Sequence, residues 1–217
     1  MQQDELSTAV DTALAPCRLL AHPFYVRWTQ GEVTMDELQR YAAQYRHFEA
    51  AVPSILQSVA DSARTDEVGT QARAILADET GGPATHLELF DRFADAIDAP
   101  ERVPSPAMQC LLDTYRECTD IGAVAGLAAV LAYETQSAAV AATKAEGLRT
   151  HGLVTDAGAL AFWDVHARVD GEHSEWALLA LADAVEEPAS VTAPAGAAAQ
   201  AWWAFLDERE AQRFGTA

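Results

Sequence analysis

The sequence predicts an all-α protein, a compact bundle of seven or eight helices. Apolar residues recur at helical spacing along nearly the whole chain, and we find no sustained two-residue alternation of β-branched residues, which would indicate strands. Half of the 217 residues are hydrophobic, so each helix must bury its apolar face against neighbouring helices. A chain of this length buries about 70% of its unfolded surface. We therefore expect a single domain over residues 1–217.

Capping residues and helix breakers set the boundaries of the first helices. Gly31 ends the second helix, and a capping box of Thr34 and Glu37 opens the third. Pro53 lies inside that third helix and should kink it. The predicted helices cover residues 4–14, 17–30, 34–63, 66–96, 105–118, 120–148, 155–185 and 197–214.

Glycine and proline also mark helix boundaries from residue 81 onwards. The segment 81–83, Gly-Gly-Pro, interrupts the fourth helix, and Pro106 occupies the first position of the fifth. The most apolar helix follows, but its longest apolar run, residues 121–133, is too short to span a membrane. A loop rich in alanine and proline over residues 188–194 precedes the last helix.

The charge of the chain excludes several classes of partner. Fourteen basic and 33 acidic residues give a net charge of −19, which argues against binding to nucleic acid or to an anionic membrane. The cysteines, Cys17, Cys110 and Cys118, are odd in number and lack a CxxC spacing. With no visible signal peptide, this pattern predicts a cytoplasmic protein.

The densest cluster of metal-binding residue types is His166, Asp170 and His173. In a helix these three positions lie on one face, within an arc of roughly 60°. Two imidazoles and a carboxylate form a ligand set that suits iron and manganese. The alternative is an ordinary polar helix face, because other charged residues lie nearby. Since two of the six histidines of the chain occur here, we favour the metal site.

Two further elements could complete a metal site. Glu79 and His86 are seven residues apart across the glycine break; alternatively, the glutamate is a surface residue at a helix end and the histidine begins a new helix. Glu134 lies in the most apolar helix, where a buried carboxylate needs a partner, unless the helix turns it towards solvent. Together the six residues supply three carboxylates and three imidazoles. Helical bundles hold dimetal sites with such ligands, which leave positions open for dioxygen.

The N-terminal segments carry a family resemblance. Residues 20–28, Leu-Ala-His-Pro-Phe-Tyr-Val-Arg-Trp, followed by Gly31, Tyr41, Gln44 and Tyr45, resemble the first helices of the haem-oxygenase-like fold. TenA-type thiaminases and PQQ-synthase-like proteins share that fold. The six predicted ligands resemble the pattern of its dimetal branch, the haem-oxygenase-like di-metal oxidases. The resemblance covers nearly the whole chain and implies a bundle of the haem-oxygenase/TenA type.

Within that family the chain resembles most the group of the chlamydial protein associating with death domains (CADD), which makes p-aminobenzoate for folate. The resemblance implies a self-sacrificing oxygenase in which Tyr25 supplies the ring and Lys144 the amino nitrogen. Without the resemblance, the sequence does not show whether Tyr25 or Tyr41 supplies the ring. The resemblance also implies two metal ions, Fe/Fe or Fe/Mn, together with dioxygen, an external reductant from an unidentified electron donor, and a homodimer. Tyr45 and Tyr133 are either neighbours of the site or core residues.

Lys144 is the only lysine among the 14 basic residues. A coding bias towards arginine explains why other lysines are missing, but not why this one remains. It lies ten residues beyond Glu134, about 15 Å along a helix, so it is not itself a metal ligand. The alternative is a solvent-exposed lysine near a helix C-terminus, where cations are favoured.

Three other functions remain open at this stage. A related dimetal oxidase would use the same six ligands on a diffusible fatty acid or amino acid, and would leave Tyr25 and Lys144 intact. A TenA-like hydrolase would need a nucleophilic cysteine on the helix of Glu134, where the sequence has none. A non-enzymatic interaction protein would need an exposed binding stripe, which we do not distinguish from core residues.

Overall fold

A computed structural model describes residues 1–64 and 66–213, without the side chains of residues 66 and 169–172. Within this part of the chain all regular structure is helical, so the predicted fold class is confirmed. The α-helices are α1 Gln3–Leu14, α2 Pro23–Gln30, α3 Met35–Ser62, α4 Asp66–Thr80, α5 His86–Ala96, α6 Pro106–Ile121, α7 Ala123–Thr150, α8 Ala157–Ala184 and α9 Ala189–Ala211.

The described residues form nine α-helices, one or two more than predicted, because the predicted helix over residues 66–96 is divided into α4 and α5. Thr85 caps the new helix: its side chain accepts a hydrogen bond from the backbone of Glu88, whose carboxylate bonds back to the Thr85 amide. Because a capping box begins a helix, the glycine-proline break ends one helix and positions the start of the next.

Two other boundaries differ from the predictions. The N-terminal half of the predicted helix over residues 17–30 forms short 3₁₀ turns, and α2 begins only at Pro23, which occupies its first turn. The predicted loop over residues 188–194 is instead the beginning of α9, with Pro194 inside the helix. Burial of Val191 and Ala195 in the core, together with the high helix propensity of alanine, outweighs the local effect of proline.

The capping box predicted for α3 is present. The Thr34 hydroxyl accepts a hydrogen bond from the Glu37 amide at 3.3 Å, and the Glu37 carboxylate accepts one from the Thr34 amide at 2.9 Å. The two bonds satisfy two backbone N–H groups that the first turn of a helix leaves without intrahelical partners. This cap fixes the start of the helix that carries Tyr41 and Tyr45.

Replacing Thr34 with alanine should lower the free energy of unfolding by about 1 kcal/mol, measured by urea denaturation. Thr12→Ala is the matched control, because Thr12 is exposed and its hydroxyl donates to the carbonyl of Thr8 within its own helix. That change should alter stability by a few tenths of a kcal/mol at most. Equal effects of the two substitutions would contradict a capping role for Thr34.

The core of the bundle is organised around α7. This helix packs most extensively on α8 and α9 and also contacts α2, α3, α4 and α6. It is long and apolar enough to cross a membrane, but 72% of its most apolar window is buried inside the protein. We therefore interpret α7 as a core helix, buried on most of its faces.

Several ionisable side chains are buried among these apolar helices. They come from α3, α4, α5, α7 and α8, and ionisable groups are rarely buried without a partner. The set comprises Glu49, Glu79, His86, Glu134, Lys144, His166 and His173.

Candidate active site

Three buried side chains form a compact cluster of potential metal ligands. Glu79 is in the last turn of α4, His86 is the first residue of α5, and His166 lies on α8. One ligand atom of each residue lies within 4.8 Å of the others. The Glu79 Oε2 and His86 Nδ1 atoms are 3.0 Å apart, and the rings of His86 and His166 are 4.4 Å apart between centroids. The break between α4 and α5 thus brings together the pair predicted across it.

His166 is held in a form that suits metal binding. Its Nδ1 atom lies 2.8 Å from the carbonyl oxygen of Phe162, and since a carbonyl only accepts, Nδ1 must carry the proton. Nε2 then keeps its lone pair for a ligand. Burial lowers the pKa of His166 to about 4, so the imidazole is neutral at neutral pH.

Glu134 and His173 form a second group beside the first. The distance from Glu134 Oε2 to His173 Nδ1 is 3.9 Å, and both side chains are buried, as expected for Glu134 from its apolar helix. His173 Nε2 lies 2.7 Å from Asp78 Oδ2. A carboxylate behind a histidine commonly fixes its ring orientation at metal sites. The side chain of the sixth predicted ligand, Asp170, lies outside the described residues.

A narrow cavity of about 20 Å³ lies between the two groups, enough for roughly one water molecule. Glu79 and His166 of the first group and Glu134 of the second line it. Glu49 of α3 lines it too. The rest of the wall is apolar or aromatic: Phe48, Val52, Ile55, Tyr115, Val130 and Tyr133.

Two nearby carboxylates were not predicted as site residues. Asp78 adjoins Glu79 in the sequence, but nothing local indicates its contact with His173 on α8. Glu49 lies four residues after Tyr45, on the same face of α3, which was the only available signal. Both therefore depend on how the helices pack.

The residues present fit a metal of the first transition row. Neutral imidazole and carboxylate are the ligands that iron and manganese accept, and here they are buried and converge from three helices. The geometry brings together five of the six residues predicted as ligands, in two adjoining groups. Their role as ligands remains a prediction.

A second buried cluster centres on the only lysine of the chain. Lys144 on α7 is fully buried, and its Nζ atom donates a hydrogen bond to the Tyr41 hydroxyl at 2.6 Å. The hydroxyls of Tyr41 and Tyr25 are 3.1 Å apart. Nζ also lies 4.2 Å from the ring centroid of Trp163 and 4.6 Å from that of Tyr45. The alternative of a solvent-exposed lysine is therefore wrong.

The aromatic surroundings change the acid–base properties of this cluster. Burial lowers the pKa of Lys144 well below its usual range, although the negative charge of Glu49 acts in the opposite direction. Burial also raises the pKa values of Tyr25 and Tyr41, so both remain neutral phenols at neutral pH. The burial of Lys144 thus shifts its nitrogen towards the neutral amine, whose lone pair can react.

Comparison with known proteins assigns the family. The profile of a family described as iron-containing redox enzyme, of the haem-oxygenase type, matches residues 39–206, more than half of the chain. The chain belongs to the haem-oxygenase-like iron-containing redox enzymes. It is thus an enzyme, and the family predicted from the N-terminal motif and the ligand pattern is confirmed.

Curated relatives of this haem-oxygenase-like enzyme share one name. A 4-aminobenzoate synthase of Nitrosomonas europaea is 32% identical, over 95% of this chain and 92% of the relative. A 4-aminobenzoate synthase of Chlamydia trachomatis is 31% identical, over 76% of this chain and 74% of the relative. Both alignments cover more than two thirds of each protein, so the similarity is not confined to one motif.

Solved structures show the same fold. A CADD-like protein of unknown function from Nostoc punctiforme superposes with a TM-score of 0.82, at 16% identity, over 98% of this chain and 99% of its own. A TenA homologue from Pseudomonas syringae has a TM-score of 0.78 at 13% identity, over 96% of this chain and 92% of its own. These likenesses confirm the haem-oxygenase/TenA type of bundle. At 13–16% identity, they show the fold alone.

Proposed function

We propose that this enzyme forms 4-aminobenzoate from its own side chains, with Tyr25 as the source of the ring and Lys144 as the source of the amino nitrogen. One observation carries the proposal. The only lysine of the chain is fully buried, and its nitrogen bonds to Tyr41, whose hydroxyl in turn contacts that of Tyr25. The names of the curated relatives support the product.

The chemistry of the product fits a tyrosine precursor. In 4-aminobenzoate the carboxyl and amino groups are opposite each other on the ring, as are the Cβ and hydroxyl of tyrosine. Forming it from Tyr25 requires breaking the Cα–Cβ bond, oxidising Cβ to the carboxylate and replacing the hydroxyl with an amine. Dioxygen would be the oxidant, with an external reductant. If the amine comes from Lys144, its Nζ–Cε bond must also break, and each chain can react only once.

Different side chains would bind the metals and position the reacting amine. Glu79, His86 and His166, with Glu134 and His173, would hold two metal ions, Fe/Fe or Fe/Mn. Bound metals would supply the activation of dioxygen. The apolar surroundings favour the amine form of Lys144, and the Tyr41 hydroxyl orients that amine beside Tyr25. Burial of the Lys144 side chain keeps bulk water from competing with the amine.

The size of the cavity favours a substrate within the protein. A volume of about 20 Å³ does not admit a fatty acid or an amino acid, which the alternative oxidase would have to bind. We infer further that the enzyme acts in the cytoplasm as a homodimer, without nucleic acid or membrane, and takes electrons from an as yet unidentified donor.

The uniqueness of Lys144 allows a direct test of the nitrogen source. Protein grown with lysine labelled with nitrogen-15 only at the ε position carries one labelled lysine in the chain. After purification, loading with iron and manganese, and reaction with dioxygen and a reductant, mass spectrometry should find the label in 4-aminobenzoate, at no more than one product per chain. Unlabelled product, or many products per chain, would contradict the proposal.

The ring source needs a substitution, because the chain has five tyrosines. Tyr25→Phe should eliminate the product, while metal content and thermal unfolding stay close to those of the wild type. If Tyr41→Phe eliminates the product and Tyr25→Phe does not, Tyr41 is the ring source.

A further inference from the structure

Trp28 contacts the residues that would react, although the proposed function gives it no role. It lies on α2, three residues after Tyr25, and is 3% exposed. Its ring centroid is 6.3 Å from that of Tyr25 and 5.8 Å from that of Tyr41. Its indole N–H donates a hydrogen bond to the backbone carbonyl of Lys144 at 3.3 Å. One side chain thus contacts the proposed ring source, the proposed nitrogen source and the tyrosine that bonds to both.

The hydrogen bond joins α2 to the peptide group of the reacting lysine. Lys144 lies inside α7, where its carbonyl accepts a hydrogen bond from the amide four residues later. A carbonyl oxygen has a second lone pair, and Trp28 uses it. The position of α2 is therefore set relative to the backbone of Lys144 itself, not to a distant part of α7.

A glycine allows this close approach of the two helices. Gly147 lies three residues after Lys144, and a Cβ atom there would be 2.6 Å from Cδ1 and 2.8 Å from Nε1 of Trp28. It would also lie 3.3 Å from the backbone carbonyl oxygen of Trp28. Within a helix glycine is less favourable than alanine, which is abundant in α7. The small residue at position 147 thus serves the contact with Trp28.

Polar side chains hold both ends of α2 on another helix. The Nε2 atom of His22, the N-cap residue of α2, lies 3.1 Å from Asp207 Oδ1. The guanidinium of Arg27, in the last turn, pairs with Glu210 at 3.0 Å. Both carboxylates belong to α9. These pairs restrain the ends of α2 on α9, whereas Trp28 fixes the helix against α7.

We propose that Trp28 is a positioning residue, which sets the distance between the Tyr25 ring and the Lys144 amine by docking α2 on α7. The inference rests on the proposed function, since it takes these two side chains as the groups that react. Lys144 Nζ lies 5.3 Å from the centroid of the Tyr25 ring. A substrate that is part of the chain cannot reorient by binding again, so the packing of α2 must hold the reactive geometry.

Gly147→Ala tests the docking, because the added methyl group must displace the Trp28 ring and α2 from α7. In the metal-loaded protein the single-turnover rate of 4-aminobenzoate formation should fall by about 100-fold, the effect of a misplacement of about 1 Å. Gly196→Ala is the matched control, since this glycine also lies inside a helix and its added Cβ would meet no atom within 4 Å. Equal rates in the two variants, at equal metal content, would refute the proposal.

A spectroscopic measurement reports the geometry without metal or turnover. 3-Fluorotyrosine placed at position 25 gives one fluorine signal, and lysine labelled with carbon-13 at Cε gives one carbon signal, because Lys144 is the only lysine. Both nuclei sense the aromatic rings around them, so both signals should shift in Gly147→Ala and stay in place in Gly196→Ala. If Trp28 served stability alone, the melting temperature of Gly147→Ala would fall and both signals would keep their wild-type positions, which would overturn the proposal.

Trp28→Phe keeps the test decisive if Gly147→Ala does not fold. Phenylalanine is smaller than tryptophan and has no N–H, so α2 loses its hydrogen bond to the Lys144 carbonyl without a clash. The single-turnover rate should fall by about tenfold or more as the reacting groups lose their alignment, and both signals should shift. A wild-type rate in the folded, metal-loaded variant would exclude a positioning role for Trp28.

The two measurements separate failure of the docking from failure of the proposed function. Shifted signals in Gly147→Ala, when even the wild type makes no 4-aminobenzoate, would support the docking of α2 by Trp28 and reject the proposed function. Formation of 4-aminobenzoate by Gly147→Ala at the wild-type rate would reject the positioning role and leave the proposed function intact.

Discussion

Lys144→Met is expected to reduce 4-aminobenzoate formation to background without destabilising the protein. Methionine has a similar length and no amine, so the nitrogen source is lost while the aromatic surroundings of position 144 stay filled. Because a buried amine is costly to desolvate, the free energy of unfolding should be equal or higher in the variant. Product per chain and urea denaturation measure the two effects separately.

A matched control shows whether product formation requires a lysine at position 144 or only a lysine somewhere in the chain. Arg149 is exposed on the same helix and pairs with Asp164, so Arg149→Lys is a mild change. In the Lys144→Met background it restores one lysine to the chain but not to the site, and the double variant should stay inactive. Recovery of product would show that any lysine can supply the nitrogen.

Lys144→Arg should also be inactive, but for a partly different reason. The guanidinium remains charged at all accessible pH values and has no free amine lone pair. Burying that charge among aromatic rings should lower the free energy of unfolding, in contrast to the methionine variant. Growth of a p-aminobenzoate auxotroph on this variant would contradict the assigned role of Lys144.

His166→Ala is expected to remove most of the bound metal. His166 belongs to the three-residue cluster and also lines the cavity, so its loss leaves Glu79 and His86 as an incomplete site. We expect metal affinity to fall by more than about 100-fold, since even removal of a group that only supports a ligand costs 10–100-fold. Metal analysis of purified protein checks this, as does the rise in melting temperature on adding iron(II) or manganese(II).

The control for this substitution is His151→Ala. His151 is exposed, and its ring contacts only the carbonyl oxygen of Thr29 among the hydrogen bonds described. Its removal should leave the metal content unchanged. Equal metal content in the His166 and His151 variants would exclude the three-residue cluster as a metal site.

Part of the site could be predicted from helical periodicity. The spacing of His166 and His173 places both on one face of α8, and both are indeed buried. Glu79 and His86 do meet, but not as neighbours on one continuous helix: α4 ends at Thr80 and α5 begins at His86. The loop between α4 and α5 brings the two side chains together. The geometry of that loop depends on how the helices pack, not on the seven-residue spacing in the sequence.

The contacts of the predicted residues were beyond the reach of sequence patterns. Asp78 touches His173 across 95 residues, and Lys144 touches Tyr41 across 103. Glu49 reaches the cavity because α3 packs beside α4 and α7. No local periodicity encodes such long-range pairs in a single sequence.

The sequence by itself determined the helical class, the capping box at Thr34, the proline start of α6, and the inventory of carboxylates, imidazoles and one lysine. Only the tertiary structure decided whether that lysine is buried or exposed. As a residue of α7 it was equally compatible with a solvent-exposed cation. Aromatic residues from α3 and α8, and Tyr25 from α2, enclose its nitrogen, and removal from water is what favours the neutral amine.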